Sequence, residues 1–303
     1  MSRRAGEITT ELTGLRQRAE HLADRLPPLL VAAERVAATV AQGVHGRRRV
    51  GIGETFWQFR PYQQGDPTTR IDWRQSARST QLFLRDQEWE AAESVWLWAD
   101  SSASMDYRSR ATWPTKRDRA TLLVLALASL LTRAGERIAL LGEERRPLGG
   151  RAGMSVLVEG LQAAQGGGAD PPSLAPVQSL PRFARLVVIS DLFSPLATLR
   201  ERLRSFVAMG VRGHLLQVLD SAEMELPFAG RVRFEGMERD GVALIGNVDN
   251  VRGEYKGRMQ AHREGLRELA RSLSWTFATH RCEQPPEPAL LALYTALSTK
   301  AQG

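Results

Sequence analysis

The sequence predicts an α/β fold, a doubly wound and mostly parallel sheet with helices on both faces, and three observations carry that expectation. Short apolar runs at Val95–Ala99, Arg137–Leu141, Leu186–Ser190, Gly213–Leu219 and Trp275–Thr279 alternate with segments of helical periodicity, the rhythm of strands joined by right-handed crossovers. The strongest of these runs are nearly continuous rather than alternating, as strands covered on both faces are. Three of them lead directly into an aspartate: Asp100, Asp191 and Asp220. Parallel strands place all three at one edge of the sheet, the edge where open α/β sheets bind ligands.

The elements follow in order. Residues 1–45 form an amino-terminal segment in which Leu12, Leu15, Leu22, Leu26 and Leu29 keep helical spacing, interrupted at Pro27-Pro28, so two helices that pack on the rest are expected. Gly43–Arg49 reads as a basic linker. Residues 46–92 read as a small strand-rich subdomain, and residues 93–303 as the α/β domain. Within the latter, Lys116–Arg133 is an amphipathic to buried helix, entered at Pro114-Thr115 and ended at Gly135. Met154–Ala164 and Leu196–Met209 are further helices, the first broken by Gly166-Gly167-Gly168. Residues 231–246 depart from the rhythm: Val232 and Phe234 alternate with charges and Asp240-Gly241 is a hairpin turn dipeptide, so a hairpin insertion is expected. A long helix from Glu254 to Ser274 and a last one over Ala289–Ser298 complete the chain.

Composition narrows the chemistry. The net charge is +7, yet arginines are interspersed with acids, which reads as solvated faces rather than a nucleic-acid surface. Cys282 is the only cysteine, so neither a disulfide framework nor a thiolate metal site is available. The apolar run Leu122–Leu131 is too short to span a membrane. The first residues carry no apolar signal core, and a cytoplasmic protein is expected. There is no Gly-x-Ser-x-Gly elbow, phosphate-binding loop or His-Glu-x-x-His helix. The five histidines are scattered; His280 follows the last strand and reads as a satisfied or surface histidine.

The chemistry-bearing stretch is Asp100-Ser101-Ser102-Ala103-Ser104. One carboxylate and two hydroxyls at alternate positions offer oxygens of the kind a hard divalent cation takes; the plainer reading is a capped turn into a helix. The spacing Asp-x-Ser-x-Ser resembles the metal-ion-dependent adhesion site of von Willebrand factor A domains. That resemblance implies a von Willebrand factor A-like sheet, Mg²⁺ or Mn²⁺ held by Asp100, Ser102 and Ser104, and Asp191 reaching the ion through water. Neutral hydroxyls would leave the cation electrophilic, so that a partner's carboxylate completes its shell. The pattern also asks for a threonine after a Gly-Gly pair. The matching run here is Gly167-Gly168-Ala169-Asp170, without a hydroxyl, and Asp170 is the available substitute. Asp220 has no place in the pattern and reads as a cap.

A second block precedes the site. Arg60-Pro61-Tyr62, Gly65-Asp66, Arg70-Ile71-Asp72-Trp73 and Ala77-Arg78 interleave arginines with aspartates and aromatics. Arg60, Asp66, Arg70, Asp72 and Arg74 can form a bidentate ion-pair network, stapling a strand subdomain together with Trp57 and Trp73 or presenting, with Arg78, an interaction surface. With the Asp100–Met105 motif, this block resembles the bacterial domain of unknown function 58 family, von Willebrand factor A-like proteins typically encoded beside MoxR-type AAA+ ATPases. The resemblance covers Gly43 to the carboxyl terminus. It implies a non-enzymatic interaction or adaptor module with a degenerate adhesion site, working with such an ATPase on an unknown protein client, without nucleic acid or a membrane span. The alternative is a metal-dependent hydrolase using Asp100 and Asp191, for which the sequence offers no evident base or oxyanion donor.

Overall fold

A computed structural model describes residues 28–42, 56–61, 73–77, 81–87, 94–166, 172–238 and 241–298. Its centre is a five-stranded parallel sheet built from β3 (Ser94–Ala99), β4 (Arg137–Leu140), β5 (Arg185–Ser190), β6 (Arg212–Leu219) and β9 (Thr276–Arg281), in the spatial order β4-β3-β5-β6-β9. Every neighbouring pair in it is parallel. The crossovers run through α3 (Lys116–Arg133), α4 (Gly150–Gly166), α5 (Leu196–Ala208) and α7 (Val248–Ser272), and α8 (Glu287–Ser298) closes the chain. The expected α/β class is therefore the observed one.

The period-two geometry of a strand sorts the core into two layers. Val95 and Leu97 of β3, Val187 and Ile189 of β5, and Leu216 and Val218 of β6 face one side, where they meet α1 (28–42), α3, α4 and α8. Trp96 and Trp98, Leu186 and Val188, and Leu215 face the other, against α5 and α7. Helix α1 contributes Ala33, Val36, Ala37 and Val40 to the first layer, with Leu29 and Leu30 packed against it; the segment before the helix, with Leu12, Leu15, Leu22 and Leu26, lies outside the described residues. In chain order, the two-stranded antiparallel pair β1 (Phe56–Pro61) and β2 (Phe83–Gln87), with the short helix α2 (Trp73–Ser76) between them, comes after α1 and before the sheet.

Two local features shape the far edge. Gly213 in β6 leaves room for the Trp275 indole, whose ring atoms would lie 2.0–2.2 Å from a β-carbon placed there. The expected hairpin is present as β7 (Val232–Glu235) and β8 (Val242–Ile245), antiparallel, with Gly241 at φ +103°; Asp240 lies outside the described residues. No helix among the described residues is long and apolar enough to cross a membrane.

The long helix α7 begins six residues earlier than the periodicity indicates, at Val248, because the Asn247 side chain accepts from the Asp249 N–H and caps it. Its first turns are polar on most sides, which conceals them from a pattern of apolar spacing.

Candidate functional site

Strand β3 ends at Ala99, and Asp100 follows in the crevice beyond the strand ends, with its N–H donated to the Ile189 carbonyl at 2.9 Å. The chain then turns through a 3₁₀ segment, Ala103–Asp106. The turn is fixed by the Asp100 carboxylate: Oδ1 accepts the Ser102 N–H at 2.8 Å and Oδ2 accepts the Ser190 hydroxyl at 2.7 Å. Asp100 and Ser102 are each 1% exposed. Burial pushes the Asp100 carboxyl above its ordinary range, against the hydrogen bonds from Ser102 and Ser190 that favour its charged form.

Strand β5 supplies the facing group. Ser190 Oγ accepts the Leu192 N–H at 3.0 Å, and Leu192 stands at φ +54°, an uncommon conformation for a branched side chain. Backbone held there costs about 1–3 kcal/mol and persists where the surroundings over-determine it. The turn presents Asp191 back toward the 3₁₀ segment. Ser104 Oγ donates to Asp191 Oδ2 at 2.8 Å and lies 3.2 Å from Ser102 Oγ. Asp100, Ser102, Ser104 and Asp191 are thus brought into one hydrogen-bonded cluster at the carboxyl edge.

The sequence pattern gives no sign of the next two members. Lys116, the first residue of α3, is fully buried. Its ammonium donates to Asp191 Oδ2 at 2.9 Å and to Glu223 Oε1 at 2.5 Å. The Phe193 ring lies across it, with its centroid 5.1 Å from Nζ, in range for a cation–π contact. Burial works against the charge on Lys116, but Asp191 and Glu223 outweigh it and hold the ammonium above the usual lysine range. Glu223 lies on α6 (Ser221–Glu225). Burial raises its carboxyl above the usual range even with Lys116 pulling the other way.

Asp220 takes the capping role expected of it. Its side chain accepts the Ala222 N–H at 2.8 Å, while Glu223 Oε2 accepts the Asp220 N–H at 2.9 Å, a reciprocal capping box. Asp220 Oδ2 also accepts the Ser109 N–H at 2.9 Å, tying α6 to the loop after the 3₁₀ segment. Glu223 therefore holds two positions at once, closing the cap with one oxygen and the lysine with the other.

As folded, both Asp100 oxygens accept protein hydrogens, and Asp191 Oδ2 carries the Lys116 ammonium together with the Ser104 hydroxyl. Among the described residues, no three His, Cys, Asp or Glu side chains group as a metal centre. Asp170, the expected substitute ligand, lies outside the described residues.

The remaining expectations are met unevenly. Asp66, Arg70, Asp72 and Arg78 of the interleaved block lie outside the described residues, and Arg60 is placed only as part of strand β1. Trp73 begins α2 and is 66% exposed, so it does not staple a core as expected. His280 is buried on β9, 3% exposed, and its Nε2 finds no partner among the described residues. It is neither a surface histidine nor a member of the cluster. His262 is nearer: its Nε2 lies 2.7 Å from the Leu192 carbonyl oxygen, fixing the strained turn.

Comparison with known proteins identifies a family and names no activity. Uncharacterised proteins of Mycobacterium bovis and of Mycobacterium tuberculosis are each 28% identical to this chain over 267 residues, covering 81% of it and 82% of the relative. Among solved structures, the conserved hypothetical protein BatB from Bacteroides thetaiotaomicron aligns with a TM-score of 0.41 at 14% identity, over 68% of this chain and 98% of that one. An aerotolerance-related membrane protein from Bacteroides fragilis aligns at 0.37 and 14% identity, over 67% and 98%. The sequence pattern of the family described as "Protein of unknown function DUF58" matches residues 58–265. The chain belongs to that family.

Proposed function

We propose that this protein is a non-enzymatic interaction module, an adaptor that presents the carboxyl edge of its sheet to a protein partner, and that the partner machinery is a MoxR-type AAA+ ATPase acting on a protein client. The reading divides the chain into a helical segment to residue 45, a strand-rich subdomain to 92 and the α/β domain beyond. It puts the protein on the cytoplasmic side with the ATPase. The observation that supports it most is the cluster itself. Asp100, Ser102, Ser104 and Asp191 converge at the edge where α/β sheets bind ligands, which supports reading them as a degenerate adhesion site. Their hydrogen-bonding capacity is spent on fixing the surface rather than on poising a nucleophile.

The surface above the cluster suits a partner better than a substrate. Phe193 covers the buried Lys116 and remains 38% exposed, an aromatic anchor of the kind that dominates protein interfaces. Nucleotide hydrolysis falls to the partner in this reading, because the sequence has no phosphate-binding loop.

The test is binding of a purified MoxR-type ATPase to the full chain, followed by sedimentation, with Asp100→Ala and Phe193→Ala compared at equal helical content. Both variants are expected to lose binding at least tenfold while remaining folded. A folded Asp100→Ala protein that binds the ATPase as the parent does would overturn the reading.

A further inference from the structure

We infer that Lys116 is the resident cation of the strand-edge site: its ammonium takes the place of a divalent ion and makes the site independent of metal. This goes beyond the adaptor reading, since it concerns what holds the site together whatever binds above it.

The position of Lys116 runs against local preference. A lysine at the first residue of a helix stands at the positive end of the helix dipole, where a cation is disfavoured. This one is also fully buried, and an unpaired ammonium there would carry a large desolvation penalty. Nothing about α3 as a helix requires it, because the amino-terminal cap is supplied by Thr115, whose hydroxyl accepts the Asp118 N–H. A residue that breaks the local rules at a ligand-binding edge is the kind retained for what it does there.

Its connections lead into the cluster. The ammonium shares Asp191 Oδ2 with the Ser104 hydroxyl, and Ser104 contacts Ser102. It is therefore joined through Asp191 Oδ2 and the Ser104 hydroxyl to the Asp-x-Ser-x-Ser turn, on the Asp191 side of the site and without touching Asp100, Ser102 or Ser104 itself. A lysine is the suitable residue, being a compact point charge with three donors, whereas the planar guanidinium of arginine matches single carboxylates edge-on. The chain holds only three lysines, Lys116, Lys256 and Lys300, among 41 basic residues, and one of them stands here. Glu223 completes the replacement. It adds a second carboxylate to the ammonium from α6, so that the cation is enclosed from two sides and lies beneath Phe193 rather than open to a partner's acid.

The consequence is that Lys116 satisfies oxygens of Asp191 and Glu223 and keeps a divalent ion out. Calorimetric titration of the full-length, chelator-treated chain with MnCl₂ and with MgCl₂ tests this, comparing the parent, Lys116→Ala and Lys116→Ala/Asp191→Asn. The parent is expected to give no saturable heat, and its melting temperature to be unchanged by the chelator or by 1 mM Mn²⁺. Lys116→Ala, which removes the ammonium and opens its volume, is expected to bind Mn²⁺ with a saturable heat that the parent lacks and to be stabilised by it; the double variant loses that gain. Saturable Mn²⁺ binding by the parent that disappears in Asp100→Ala overturns the inference. So does a folded Lys116→Ala protein that ignores both ions. Should Lys116→Ala not fold, the parent titration with its Asp100→Ala control still decides whether the wild-type site takes a metal. ATPase binding is scored separately in chelator, so a failed partner and a failed cation assignment give different results.

Discussion

Ser104 and Lys116 donate to the same atom, Asp191 Oδ2, at 2.8 and 2.9 Å. One carboxylate oxygen thus links the turn after β3 to the first residue of α3, and through Lys116 to Glu223 on α6. Three connections beyond the strand ends converge on a single buried charge, which makes the site a structural junction as well as a surface.

Removing one partner of such a pair leaves the others buried and uncompensated. Lys116→Met keeps the volume and deletes the charge, and is expected to cost about 3–5 kcal/mol of stability, read from urea denaturation. Asp191→Asn added to Lys116→Met should cost less than the sum of the two single changes, because the asparagine no longer needs the ammonium. Strict additivity would mean that the two side chains are not coupled.

Acid should destabilise the protein through two buried histidines outside the site. Burial, with Arg185 adding to it, lowers His214 from 6.5 to about 4, and burial with Arg119 lowers His280 to about 4. Because the folded values lie below the unfolded one, both rings are neutral in the fold and their contribution is complete above pH 6.5. It is lost as the pH falls from 6.5 toward 4, where the unfolded chain binds the protons first. Each ring is worth up to about 3 kcal/mol across that window, at about 1.4 kcal/mol per pKa unit. Denaturation midpoints at pH 7 and pH 4.5 measure the loss, and His280→Phe should flatten the slope by roughly half. A pH-independent midpoint would contradict the burial of these rings.

The close approach of β6 to Trp275 gives a steric prediction. Gly213→Ala would bring a β-carbon to 2.0 Å from the indole and is expected to cost about 3 kcal/mol through overpacking. Gly246→Ala, which meets nothing within 4 Å, should change stability by less than about 0.5 kcal/mol. Trp275→Leu in the Gly213→Ala background should restore part of the loss, visible in thermal melts.

Much of this arrangement is legible in the order of the residues. The helix Lys116–Arg133 has the bounds that its capping and apolar spacing indicate, and the strands that end in Asp100, Asp191 and Asp220 lie parallel and adjacent. The four residues of the expected cluster converge because the ends of neighbouring parallel strands bring them to one edge. Lys116 and Glu223 are not legible as site residues. Lys116 reads as the opening of a helix, and only its rarity in an arginine-rich chain marks it. Glu223 sits on a five-residue helix, too short for periodicity to place its face. Trp73 misleads for a related reason: an aromatic between charged residues suggests a core, yet burial depends on what packs over it, and on the four-residue α2 Ser76 is buried while Trp73 stays exposed.

The most direct test of the resident cation uses the scarcity of lysine. With ¹⁵N incorporated only at lysine, the chain has three side-chain nitrogens to observe, those of Lys116, Lys256 and Lys300. One ammonium resonance should persist at pH 8 through slow exchange with water, vanish in Lys116→Met, and stay sharp when Mn²⁺ is added. Three rapidly exchanging signals, or selective broadening of the Lys116 resonance by micromolar Mn²⁺, would contradict the account.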